Sequence, residues 1–88
     1  MPTKLTEEQR LQELKEWYIM LHFEYHRLSD FMKVLALRRL CELKDYDACV
    51  MYGEIITELN KLAEEKNDKR AKQILEDLKK IGPKYEVE

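Results

Sequence analysis

Residues Thr6–Leu28 read TEEQRLQELKEWYIMLHFEYHRL, and two patterns overlap in them. Thr6-Glu7-Glu8-Gln9 has the form of a capping box, in which the Thr hydroxyl and the Gln side chain reciprocally satisfy free backbone amides. A helix should begin there. From that start Leu11, Leu14, Tyr18, Leu21, Tyr25 and Leu28 recur at alternating three- and four-residue steps, which places all six on one stripe, the expected inward face. Turning each residue by about 100° around the helix axis puts Ile19, Met20 and Phe23 well away from that stripe, with Trp17 at its edge. The first helix therefore has a second apolar face.

The rest of the chain continues in the same idiom. Ser29-Asp30 can cap a second helix running to about Leu43, although neither Gly nor Pro forbids one unbroken helix from Thr6 onward; a break is the favoured reading. On this second helix Phe31, Val34, Leu35, Leu37 and Cys41 fall on one side and Met32, Ala36, Leu40 and Leu43 on the other, so it too is apolar nearly all round. Lys44-Asp45-Tyr46-Asp47 reads as a short turn with an Asp cap. Ala48, Tyr52, Ile55, Leu59 and Leu62 then share a face of a third helix. The pattern stops at Asn67-Asp68 and restarts with Ala71, Ile74, Leu75, Leu78 and Ile81 before Gly82-Pro83, a strong helix stop. Glu76 with Lys80 and Asp68 with Lys72 are opposite charges four apart, expected to pair on an exposed face.

With 88 residues, 39% of them charged and 44% hydrophobic, the chain is sized and composed for a single soluble globular domain and is too apolar to be disordered. Only 2 Gly and 2 Pro leave little turn punctuation for hairpins, while Leu, Glu and Lys favour helix. The fold class expected is all-α, a small antiparallel bundle of three or four helices spanning residues 1–88, with residues 1–5 and 84–88 as loose termini. Leu37, Leu40, Tyr46, Cys49, Tyr52 and Ile56 resemble one helix–turn–helix of the tetratricopeptide type, a likeness that implies a peptide-binding groove. Leu37 stands where that pattern has a small residue, and no second copy follows, so the segment reads as plain antiparallel helix packing.

Chemistry-bearing motifs are sparse. The only Ser is Ser29, no Gly-rich phosphate loop occurs, and neither cysteine has a His at a recognisable spacing, so no enzyme class is indicated and no cofactor is expected. Glu7-Glu8 and Glu64-Glu65 are solvated charges. His22 and His26 are four apart and could face one metal, yet two histidines with no carboxylate clearly on their face do not make a site, so no metal is expected. Cys41 and Cys49 are too few for a disulfide scaffold and read as small buried residues in a reducing compartment, a bond between them across the turn being the minor alternative. The polar start MPTKLTEEQR and the lack of any long apolar run add to an expectation of a cytoplasmic protein without a membrane span.

Two segments that are apolar nearly all round exceed what so small a domain can surround, since at most one helix can sit at its centre. Leaving several large side chains in water would forfeit roughly 1.5–3 kcal/mol each. The reading is therefore a non-enzymatic protein–protein interaction module: a homo-oligomer, small subunit, adaptor or inhibitor. Trp17, Ile19, Met20 and Phe23 are its expected interface, aromatic and Met residues being enriched at such surfaces. The alternative is a small regulatory nucleic-acid binder using Arg27, Lys33, Arg38 and Arg39 or Lys66, Lys69, Arg70 and Lys72. A net charge of −2 argues against it.

Overall fold

The computed structural model describes residues 2–87. Four helices follow one another: α1 (Glu7–Phe23), α2 (Asp30–Glu42), α3 (Tyr46–Glu65) and α4 (Lys69–Lys80). The fold is all-α in character, as the sequence indicates. Thr6 and Gln9 form the reciprocal capping box, and Ser29, Asp45 and Asp68 each cap a helix by accepting from the amide three residues on. The continuous-helix alternative is thereby excluded. α1 stops at Phe23, a single 3-10 turn covers Tyr25–Arg27, and Ser29 starts α2 afresh.

The connections use left-handed residues that are not glycine. Lys44 has φ 68° and Asn67 φ 53°. At the first, the amides of Lys44 and Asp45 return to the carbonyls of Cys41 and Leu40, satisfying the open end of α2. Cys41 and Cys49 bracket this turn with Cα atoms 4.5 Å apart and are joined as a disulfide, which corrects the reading of two reduced cysteines.

α2 is the central helix. Ala36 and Leu40 of α2 and Leu43 at its C-cap are fully buried, and Val34 is buried as well. On one side Val34 meets Ile74 and Leu78 of α4, with Phe31, Leu35, Tyr52, Ile55, Ile56 and Leu59 packed around them. Arg70 pairs with Asp30, and Arg38 donates to the Leu78 carbonyl, so α4 runs alongside α2 in the same direction while α3 returns between them. Neither expected i,i+4 pair forms an ion pair among the described residues; Lys72 donates instead to Asn67 Oδ1.

The termini, expected to be loose, are paired. Strands β1 (Thr3–Leu5) and β2 (Tyr85–Val87) form a parallel two-stranded ribbon with Thr3 opposite Tyr85 and Leu5 opposite Val87. Alternation turns Leu5, Tyr85 and Val87 inward, where they join Leu43 at the C-cap of α2 and Leu14 and Trp17 of α1 in a second core cluster. The tail is held from α2. Arg39, only 7% exposed, donates to both Glu42 carboxylate oxygens and to the Gly82 carbonyl, and Glu42 Oε1 also accepts from the Lys84 amide at 3.0 Å.

α1, by contrast, buries no residue fully. Arg10 ties its first turn to the rest through the Leu43 carbonyl at 2.8 Å. The same guanidinium, hydrogen-bonded to Glu7, holds that carboxyl below its ordinary range. The radius of gyration, 13.7 Å, exceeds the roughly 12 Å of a fully compact chain of this length, in keeping with a helix that is docked on one side only.

Glu42→Ala would leave Arg39 buried without its carboxylate; we expect a loss of about 3 kcal/mol in urea unfolding, with the tail released first and seen as a change in Trp17 fluorescence. Reducing Cys41–Cys49 removes a short covalent loop closure and should lower stability by about 2–3 kcal/mol, read as a fall in Tm on adding dithiothreitol.

Candidate functional site: an apolar groove between the first and third helices

The stripe expected to face inward does face the rest of the fold, but little covers it. Leu14, Leu21 and Leu28 are half-buried, whereas Leu11, Tyr18 and Tyr25 are about half exposed. The reason is geometric. α1 leans on α2 and the ribbon, and no element fills the space between it and α3. That space is a cavity of about 440 Å³ whose walls are Leu21 and Tyr25 on one side and Met51, Ile55, Leu59 and Leu62 of α3 on the other. Val34 and Leu37 of α2 form its floor, with Ala71 and Ile74 of α4 beneath α3. Asp30, Lys33, Asp68 and Arg70 gather at one end, where Lys33 Nζ lies 4.2 Å from the centre of the Tyr25 ring and Arg70 is paired with Asp30. Its size and mostly apolar lining are those of a ligand or peptide site.

The four residues expected at an interface separate in the structure. Phe23, 80% exposed, and Ile19, 46% exposed, point to solvent from the side of α1 opposite α2. Trp17 does not belong with them. Its indole Nε1–H donates to the Tyr85 hydroxyl at 2.9 Å, and that hydroxyl donates in turn to Glu13 at 3.1 Å, so the ring braces α1 against the C-terminal strand. Met20 is half-buried beside it, on a shallow pocket shared with Glu13, Glu16, Lys84 and Tyr85. Sequence periodicity placed Trp17 at the edge of the stripe but could not supply Tyr85, which lies in a strand too short to leave a pattern.

Ile55, Leu59 and Leu62 of α3 lie on the face whose period predicts core. Ile55 and Leu59 pack against the core on one flank and line open space on the other, Leu62 lines the groove, and Met51 falls outside the face that periodicity marks. What the sequence lacked was any sign that α1 would stand off from α3.

The histidines do not converge. His22 lies in α1 and His26 in the 3-10 turn beyond its end, so the four-residue helical relation between them is broken. Their rings contact Phe23 and Tyr25 edge-on. Among the described residues no three His, Cys, Asp or Glu side chains gather as metal ligands. Of the basic residues considered for nucleic acid, Arg38 and Arg39 are engaged by Leu78, Gly82 and Glu42, and Arg70 by Asp30, while Lys66, Lys69 and Lys72 are exposed. No helix among the described residues is long and apolar enough to cross a membrane.

No family model, no curated protein and no solved structure matches this chain.

Two substitutions separate the brace from the free surface. Tyr85→Phe removes the acceptor for Trp17 and the donor for Glu13 and should cost about 1 kcal/mol with a shift in Trp emission. Phe23→Ser should leave unfolding stability within about 0.5 kcal/mol; a larger loss would mean that the ring is covered in the folded protein.

Proposed function

We propose that this protein is an interaction module that takes up an apolar helix of another protein in the groove between α1 and α3. The observation that carries the reading is the groove itself: a mostly apolar cleft of about 440 Å³, walled by Leu21 and Tyr25 on one side and by α3 on the other over a floor from α2, charged only at one end and left uncovered in a domain that has little stability to spare. An amphipathic helix presents anchors at i, i+3, i+4 and i+7, and a groove walled by two helices on a third is the receptor form such a helix fits. The exposed pair Ile19 and Phe23 extends the apolar surface around α1 and offers a second contact for a larger partner. Binding in this way uses a surface formed before the partner arrives, so little ordering is needed on this side.

Self-association is the competing form of the same reading, since a second copy could cover the exposed stripe. A cytoplasmic setting goes with the proposal only if the Cys41–Cys49 bond persists there, because disulfides are uncommon in reducing compartments.

The test is a methyl NMR titration with a synthetic amphipathic helical peptide, alongside light scattering of the free protein. Expected are a monomer, shifts confined to Leu21, Leu37, Met51, Ile55 and Leu59, and their loss in Met51→Glu, which retains its helical circular dichroism because Met51 is half exposed. A monomer whose groove methyls stay unmoved by such peptides at millimolar concentration would refute the reading.

A further inference from the structure

The groove has a charged margin on one side only. Asp47, Glu54, Glu58 and Glu65 of α3 are all exposed. Each lies three or four residues from a groove-lining side chain of the same helix: Asp47 and Glu54 from Met51, Glu58 from Ile55 and Leu62, and Glu65 from Leu62. On a helix that spacing makes them immediate neighbours. Together they form an acidic margin along the α3 lip, interrupted by a single base, Lys61. None of the four acids is in an ion pair among the described residues.

The opposite lip differs. On that side only Leu21 of α1 and Tyr25 of the 3-10 turn line the groove; beside them and along the exposed stripe leading away from them stand Glu8, Lys15, His22 and Glu24, a mixed set. At the charged end Asp30 and Asp68 are matched by Lys33 and Arg70. The only consistent field over the groove is therefore negative and belongs to α3.

We propose that the groove's occupant is a basic amphipathic helix of a partner protein, lying along α3 with its apolar stripe on Met51, Ile55, Leu37 and Leu21 and its Lys or Arg side chains against Asp47, Glu54, Glu58 and Glu65. This rests on the reading of the groove as a helix receptor and adds the charge and orientation of what it receives. The margin steers the encounter and rejects acidic helices, which would set like charges side by side, while the apolar walls hold the complex.

Two peptides with the same leucine stripe, one flanked by lysines and one by glutamates, separate the possibilities by calorimetry at low and high salt. The lysine peptide should bind roughly tenfold or more tightly than the glutamate peptide, with the preference shrinking as salt screens the margin. The double variant Glu54→Lys, Glu58→Lys should reverse the order. Met51→Glu adds a negative charge and so would strengthen a merely electrostatic attachment; it should instead abolish binding of the lysine peptide.

Equal affinity for both peptides, each lost in Met51→Glu, would overturn the charge assignment while leaving the groove as a helix receptor. Binding of the lysine peptide that survives Met51→Glu would place it outside the groove and overturn the proposal. Failure of both peptides would overturn the receptor reading too. A parent protein that is dimeric and becomes monomeric in Met51→Glu would make the occupant a second copy, and saturable uptake of a long-chain fatty acid that excludes the peptides would make it a lipid chain; either result overturns the proposal.

Discussion

The carboxylate of Glu42 organises one end of this molecule. It sits in the last turn of α2, where it accepts from Arg39, lies 3.5 Å from the Arg38 guanidinium, and receives the amide of Lys84. Two guanidiniums side by side on a helix would repel without an anion between them. With it they become fixed donors, and Arg38 also donates to the Leu78 carbonyl and Arg39 to the Gly82 carbonyl, within and just beyond the end of α4. The C-terminal tail is thereby laid along the end of α2, which is the condition for β2 to meet β1. Once the ribbon exists, Tyr85 is in place to hold Trp17, and α1 is set against the ribbon side of α2 rather than over α3.

That placement decides how the apolar surface is shared. A domain of this size can surround one helix, and it surrounds α2: α1, α3, α4 and the ribbon all contact it. Most of its nearly all-round apolar character is covered, the flank of Val34 and Leu37 facing the groove being the part left open. α1 has comparable apolar content but only one neighbouring helix, so part of its stripe and all of Ile19 and Phe23 remain open. A groove of about 440 Å³ is what remains when three of four helices close around a core and the first is drawn aside by a strand.

The electrostatics follow the same division. The two arginines of α2 are engaged inside the fold, whereas the acids of α3 project from a helix whose opposite face is packed. A net charge of −2 conceals this asymmetry, because neutralising bases lie elsewhere on the molecule. Over the groove the local margin, rather than the sum, sets the sign of the field. Exposed charges at such a margin contribute more to encounter and to the rejection of wrong partners than to affinity, which belongs to the apolar walls.

The sequence by itself determined the helices. The capping box at Thr6, the caps at Ser29, Asp45 and Asp68, and the stop at Gly82-Pro83 are local hydrogen-bonding devices, complete within a few residues of each other. The surplus of apolar surface was also legible, because it is a property of composition and helical period. Which residues remain open was decided only by tertiary structure: Trp17 was claimed by Tyr85 from 68 residues away, the two cysteines were brought together by a turn, and the tail was fastened by Arg39 and Glu42. Strands of three residues carry no period, and long-range contacts leave no trace in spacing. A pattern of alternating threes and fours says which side of a helix is apolar; only the arrangement of its neighbours says whether that side is covered.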